Sequence, residues 1–413
     1  MRLFRFGLMF SCFSLNITGI SHSEEPERLV VNVPYRVLTQ EGKSYWFGYY
    51  DKLQFDSSNR YVLGMEVNFD NRAPRPDDEI RLGMFDLKND CQWTEFGKTT
   101  AWCWQQGCML QWLPGSKDQV IYNVRRDGSF GSVIQNVFTG EKRLLPRPIY
   151  AVSPNAKEAV SLDFARVNET RPGYGNVGVQ YDWTDRNHPS DDGIYIVNLE
   201  TGESTLAITL DQIVSIQTRE GMKDVRSWFN HLLYNPDGTR FIFLHRWFRQ
   251  PDNAGGRYTR FFTANRDGSG ICLLADHDMT SHFIWRNPTQ ILAWSTEPEG
   301  NNFHLYTDQS DKVETIGKGI LKTDGHCSYS PNGNWILTDT YPDSERMQTL
   351  MLFRPSDSKL VTLGRFYLSP DMTGQTRCDL HARWSRDGKT VCIDSAHSGR
   401  RQMVLLDVSE IAG

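Results

Sequence analysis

One local unit recurs seven times along the chain: an aromatic or aliphatic residue opens a turn signal, an apolar strand follows, and a second strand runs to another tight turn. The copies are Phe55-Asp-Ser-Ser-Asn-Arg-Tyr, Trp112-Leu-Pro-Gly, Val152-Ser-Pro-Asn-Ala-Lys, Tyr234-Asn-Pro-Asp-Gly, Trp285-Arg-Asn-Pro, Tyr329-Ser-Pro-Asn-Gly and Trp384-Ser-Arg-Asp-Gly. Strands such as Arg240-Phe-Ile-Phe-Leu follow the turn, and second strands such as Leu350-Met-Leu-Phe precede the next one. Four strands per unit with turn punctuation between them is the pattern of propeller blades. The units begin roughly every 40 to 57 residues, except for a longer gap between Val152 and Tyr234. The reading is an all-β, seven-bladed β-propeller with an insertion around 166–192, where Gly, Asn, Asp and Pro are dense. Because Val30-Val-Asn-Val lies upstream of the first unit, closure is expected to combine N- and C-terminal strands in one blade. A pair of packed β-sheets is the competing architecture, and regular repetition argues against it.

Composition agrees with this. The 12 Trp, 16 Tyr and 22 Phe and the abundance of turn residues favour strands over helices. At 413 residues the chain is long for one domain, but propellers run long as single units, so 24–413 is read as one domain. Met1-Arg2-Leu3-Phe4-Arg5, the apolar Phe6 to Phe13 and the small residues to Ser23 read as a signal peptide over 1–23. The expected location is therefore periplasmic or secreted. No later stretch is apolar enough to span a bilayer. The formal charge of -5 gives no reason to expect nucleic acid as a partner. The seven cysteines beyond the leader have no dense spacing, so no disulfide framework is indicated.

His231, His282, His326 and His381 each stand three residues before the aromatic of a unit. Equivalent positions of successive repeats share one ring about the axis, so four imidazoles far apart in sequence are expected to meet. Asp379, two residues before His381, is read as pointing the same way along a strand. His326, His381 and Asp379 form a candidate N/O metal site suited to manganese, zinc, iron or nickel. Structural histidines that only hydrogen-bond the next blade are the alternative. Leu244-His245-Arg246-Trp-Phe-Arg249, with Arg257 and Arg260 beyond it, supplies guanidinium forks for carboxylates or sulfates. The insertion adds Arg171 and Tyr174, and Tyr45-Trp-Phe-Gly-Tyr49-Tyr-Asp-Lys adds aromatic rings of the kind on which sugars stack. No phosphate-cradling glycine loop, nucleophile elbow or Cys-x-x-Cys signature is found.

From about 230 to 407 the chain resembles the oligogalacturonate lyases, seven-bladed propellers that cleave uronic-acid oligosaccharides by metal-assisted β-elimination. The matching stretches are His231-Leu-Leu-Tyr-Asn-Pro, Phe243-Leu-His245, Arg260-Phe-Phe-Thr-Ala-Asn-Arg-Asp-Gly-Ser, Ser281-His282-Phe-Ile-Trp, His326-Cys-Ser-Tyr-Ser-Pro-Asn-Gly and His381-Ala-Arg-Trp. The resemblance implies metal ligands at His326 and His381, an arginine base at Arg260, an active-site histidine at His282, and manganese as cofactor. Where the family has a Gln and a His-x-His pair, this chain has Gln375 or Thr376, then Asp379 and His381, which alters the metal shell. The leader also differs from the intracellular setting of that family, so a related lyase group, such as the ulvan-lyase propellers, fits as well. An arginine is almost never neutral, so His282, His245 and His231 stand beside Arg260 as candidate bases, with Arg246, Arg257, Arg171, Tyr174 and Tyr49 as candidate substrate contacts. The expected partner is an acidic oligo- or polysaccharide. Two rivals remain: a non-catalytic periplasmic propeller that binds glycan or protein, and a glycoside hydrolase using a carboxylate pair for which Asp379 and Asp163 are the candidates.

Overall fold

The computed structural model describes residues 28–38, 42–184, 186–252 and 255–413, so the expected signal peptide lies outside the described residues. Seven antiparallel sheets follow one another along the chain, one per repeat unit. Blade one spans 44–99, blade two 111–145, blade three 151–209, blade four 227–275, blade five 280–316, blade six 328–367 and blade seven 383–407. In blades two, four, six and seven the unit's aromatic ends the innermost strand, as Val152 does in blade three, and the turn leads into the second strand. The turn chemistry is visible in blade six, where the Ser330 hydroxyl accepts from Trp335 N–H and donates to Asn332 Oδ1 at 2.7 Å. Ser385 and Asp387 repeat that arrangement in blade seven.

Closure uses two N-terminal strands. Tyr35–Leu38 completes blade seven by pairing with Gln402–Asp407, Arg36 opposite Leu405. Leu29–Val31, the segment expected to close the ring, instead adds a fifth, outer strand to blade six, Val30 opposite Arg365. Pro34 and its neighbours turn the chain between adjacent blades, so a single N-terminal segment ties blade six to blade seven. Tyr45 N–H donates to the Arg401 carbonyl at 2.9 Å, joining blade one to blade seven.

The long gap between Val152 and Tyr234 contains two departures from the blade pattern. Helix α1 (Phe164–Thr170) opens the 164–192 connection inside blade three, capped by the Asp163 carboxylate, which accepts from Arg166 N–H at 2.9 Å. Helix α2 (Leu210–Ser215) lies between blades three and four and was not foreseen. Arg166, buried, fastens the first connection by donating to the carbonyls of Ser227, Arg186 and Asn187.

Alternation along each strand buries one set of apolar residues between neighbouring blades, as in the cluster of Leu337, Leu350, Leu352, Ile393 and Val404 between blades six and seven. Blades one and two share Trp46, Trp102 and Trp104, all within 5.5 Å of one another by ring centroid. Each such ring removes about 150–250 Å² from water, which helps hold the two blades together. The seven cysteines among the described residues are all free, and among those residues no helix is long and apolar enough to cross a membrane.

Candidate active site at the hub

The four ring histidines converge. Imidazole centroids of His282 and His326 are 4.0 Å apart, and those of His326 and His381 are 4.3 Å apart. His231 joins through Tyr49, which stacks on it at 5.0 Å and also meets His381 at 5.2 Å and His326 at 6.0 Å. All four are buried. Their backbones are re-aimed to reach the hub: ladder register shifts between Asn230 and Leu233 and between Thr280 and Phe283, and His231 and His381 hold φ of 52° and 42°. Bulges and left-handed non-glycine residues each cost stability and collect at functional centres. Tyr49 itself is delivered by a loop that only glycine permits at Gly48, where φ is 104° and a Cβ would stand 2.9 Å from the Gln106 carbonyl carbon.

The sequence reading put Asp379 and His381 on one strand. They are not in a strand: the innermost strand of blade seven starts at Arg383, and loop backbone makes the two side chains converge. Even so, ligand atoms of His326, Asp379 and His381 lie within 4.8 Å of one another, all buried. The donor set suits a divalent transition metal. His326 Nδ1 lies 3.0 Å from both oxygens of Asp339, so in the neutral form the proton sits on Nδ1 and Nε2 is the ligating atom; Asp339 and Asp379 raise the proton affinity of this ring, so a cation there would displace the Nε2 proton. The Nε2 atoms of His326 and His381 are both buried without a hydrogen-bond partner, as two ligands of one cation would be. Burial lowers the His381 proton affinity far below its usual value, with His326 and Arg383 adding to it, which favours the neutral, ligating form. Burial raises and Arg377 more than offsets the Asp379 carboxyl, whose oxygens accept from that guanidinium at 2.5 and 2.6 Å. Gln375 sits in a single 3-10 turn, Gly374–Thr376, its carbonyl accepting from Gln105 Nε2 at 3.3 Å, and among the described contacts none joins its side chain to the three.

A cavity of about 370 Å³ opens beside this cluster, lined among others by Arg171, Tyr174, His231, Arg246, Arg257, His282, Asp324 and Tyr341. Strand period explains which arginines reach it. Arg246 pairs with Thr259, and Arg257 shares the Thr259 face; His245 pairs with Arg260 on the opposite face. Arg260 and His245 are therefore not brought to the cavity. Arg260 is fully buried and caps helix α2, donating to the Ile216 carbonyl at 2.6 Å and the Ile213 carbonyl at 2.9 Å, with His245 Nδ1 3.3 Å away. A base role for either is corrected on this ground.

Arg246 is buried; among the described residues its Nε and Nη1 have no partner, and its one hydrogen bond is Nη2 to the Thr280 carbonyl at 3.5 Å. Burial, then the charges of Arg257 and Arg171, push its proton affinity well below the arginine norm. Arg257 is lowered to about 10 by burial first and Arg171 second. An unpaired buried cation such as Arg246 costs several kcal/mol unless an anion meets it.

Of the cavity histidines, His231 has both nitrogens engaged: Nε2 with Tyr49 Oη at 3.2 Å, Nδ1 with Tyr150 Oη at 3.2 Å and Gln106 Nε2 at 3.3 Å. His282 differs. Its Nδ1 meets Asp324 Oδ1 at 2.9 Å, and its Nε2 has only Tyr341 Oη at 3.5 Å. Burial keeps His282 below its usual value although Asp324 partly opposes this, so it is neutral with Nε2 available. Burial holds the Tyr341 hydroxyl protonated. Asp324, Tyr341, Asp339 and Arg377 were given no role from sequence. One signal could have found the first: Asp324-Gly-His326 and Asp379-Leu-His381 are the same Asp-x-His motif, and each aspartate reaches the histidine of the preceding blade. Asp163, a candidate hydrolase carboxylate, is spent on capping α1.

No family model matches the chain, and no curated protein does. Among solved structures, an oligogalacturonate lyase in complex with manganese superposes with a TM-score of 0.65 at 15% identity, over 91% of this chain and 93% of that one. The fold is that of the oligogalacturonate lyases. A second such lyase, from Vibrio parahaemolyticus, gives 0.64 at 12% identity over 93% and 99% of the two chains. The tricorn protease reaches 0.51 at 11% identity, covering 94% of this chain but 35% of its own. At these identities the likeness is one of architecture.

Proposed function

We propose that the protein is a metal-assisted lyase that cleaves a uronic-acid-containing glycan by β-elimination, and that it acts in the periplasm or outside the cell. The observation that carries this reading is the buried Arg246, whose Nε and Nη1 have no partner among the described residues, in one cavity with Arg171, Arg257 and His282, the last with its ring 4.0 Å from His326 of the His326–Asp379–His381 cluster. The leader-like N-terminus supports export. A divalent cation held by His326, His381 and Asp379, manganese by likeness to the manganese-bound lyase or zinc by donor set, would draw charge from the uronate carboxylate and so acidify the C5 proton.

The chain's own residues complete the chemistry. Arg246 and Arg257 bind the carboxylate bidentately and orient it. Neutral His282, its tautomer fixed by Asp324 on Nδ1, accepts the C5 proton at Nε2. Tyr341, protonated and 3.5 Å from that nitrogen, donates to the departing O4 or passes the proton on. Tyr174 and Arg171, whose guanidinium lies 4.5 Å from the Tyr174 ring, form one wall for the sugar.

The test is incubation with pectic, ulvan and glycosaminoglycan oligosaccharides, with and without chelator, following absorbance of an unsaturated uronate. Product that disappears with chelator and in Arg246→Ala is expected. Retention on such glycans with no unsaturated product from any of them would leave a non-catalytic glycan-binding propeller.

A further inference from the structure

A second cavity, of about 280 Å³, lies at the other end of the same innermost strands. His282 and Thr280 of blade five line the first cavity while Ile284 lines the second; in blades six and seven the innermost strands, Ser328–Tyr329 and Arg383–Trp384, begin two residues beyond His326 and His381 and place Ser328, Arg383 and Trp384 on its wall. The two cavities therefore sit at opposite mouths of the hub, separated by Tyr49, Tyr50 and the histidine ring. The second takes no part in the chemistry above.

Three of its lining residues carry a buried polar atom with no partner among the described residues: Asp51 Oδ1, Ser328 Oγ and Trp384 Nε1. Buried groups of this kind are rare singly and destabilise the fold unless something bonds them. Asp51 is the informative one. Its side chain is 6% exposed, and its other oxygen accepts from Lys52 Nζ at 2.8 Å. The wall thus offers a carboxylate acceptor, an ammonium with spare N–H groups, a hydroxyl and an indole donor, while Phe55 and Ile284 supply apolar surface. Alternating donors and acceptors across an apolar face match a hydroxylated ring, with C–H groups on one side and hydroxyls at its edge. Charge selects further. Asp51 and Lys52 neutralise each other, as do Arg383 and Asp394 at 2.8 Å. Arg386 remains, donating only its Nε to the Phe55 carbonyl at 3.0 Å. Arg386 stands exposed at the rim with Asp56 as the nearby carboxylate, and its remaining N–H groups can receive a ligand carboxylate.

We propose that this cavity is a second ligand site, which binds a monoanionic, polyhydroxylated molecule of about one sugar ring, the class of a free sugar acid. Asp51, Ser328 and Trp384 hold its hydroxyls and Arg386 its carboxylate. Tyr50 lines this cavity, and its ring packs 5.3 Å from His326 and 6.0 Å from His282, so occupancy restrains the floor of the histidine cluster.

The test uses the full chain labelled with 5-fluorotryptophan, titrated with D-galacturonate and, separately, D-galactose, with the Trp384 fluorine resonance assigned by Trp384→Phe. No tryptophan lines the first cavity, so this resonance reports the second alone. A saturable shift with galacturonate is expected, several-fold weaker with galactose, weakened tenfold or more in Asp51→Asn, and unchanged in Arg246→Ala. In Arg386→Ala, a rim variant that tests the site even if Asp51→Asn does not fold, the preference for the acid should vanish. No saturable shift with either sugar, a shift lost in Arg246→Ala, or equal affinity for both sugars in the wild type would overturn the proposal. Because the readout is binding at Trp384, it stands or falls separately from lyase activity.

Discussion

Blades six and seven carry the same motif, Asp-x-His ahead of an innermost strand and an aspartate on the second strand, yet they use it differently. In blade six, Asp339 accepts the backbone N–H of His326 at 2.7 Å and faces its Nδ1. Burial would lower the His326 proton affinity, but Asp339 and then Asp379 overcome it, and the imidazole is raised above its usual value. In blade seven the equivalent Asp394 is turned to Arg383 at 2.8 Å and to the N–H groups of Phe47 and Gly48 at 3.1 and 3.0 Å. His381 has no such carboxylate and lies far below its usual value. One carboxylate position thus orients a candidate ligand in one blade and locks the ring closed in the next. Blade seven can make this exchange because it adjoins blade one, whose 47–54 loop must be anchored: Arg383 also donates to Gln54 Oε1 at 2.8 Å and to the Gly48 carbonyl at 3.2 Å.

Removing the two aspartates is the strongest way to break this contrast. Asp394→Ala leaves Arg383 buried without its charge partner, and a loss of about 3–5 kcal/mol is expected, measured as a lowered denaturation midpoint. Survival of most of that stability would show that blade closure does not depend on the pair. Asp339→Ala should cost less stability but weaken metal binding by about 10–100-fold, because it frees the His326 ring, and titration calorimetry with manganese or zinc reads this directly. Equal effects of the two alanines on both measurements would erase the distinction between the blades.

His381→Gly sharpens it from the other side. Relief of the left-handed backbone at φ 42° is expected to leave stability unchanged or raise it by about 1 kcal/mol while metal binding is lost. A destabilised glycine variant would mean that the imidazole packs rather than ligates. The smallest effect is expected for Tyr49→Phe, which removes one hydrogen bond to His231 but keeps the stacked ring, for about 0.5–1.5 kcal/mol by chemical denaturation. A much larger loss would place His231 at the centre of hub stability.

The candidate site was partly legible in the same terms. His326 and His381 announce themselves by register with the repeat aromatics, and Asp379 by the Asp-x-His spacing. Arg246 against Arg260 was legible too, since period two puts Arg257 with Thr259 and Arg246 on one face and Arg260 with His245 on the other, although the resemblance pointed to Arg260. Asp339 repeats at the spacing of Asp394 from its histidine, but that spacing does not say which group the carboxylate faces, and Tyr341 carries no sequence signal. Gln375 shows the converse, a residue chosen by resemblance whose recorded contact is through its backbone carbonyl.

By itself the sequence determined the number of blades, their order and the ring of histidines, because turn chemistry and strand alternation are local and repeat. Only the tertiary structure decided which carboxylate serves which imidazole, which arginines face the cavity unpaired, and that two N-terminal strands fasten blades six and seven. Those choices depend on bulges, left-handed residues and cross-blade contacts between positions far apart in the chain, and no local pattern encodes them.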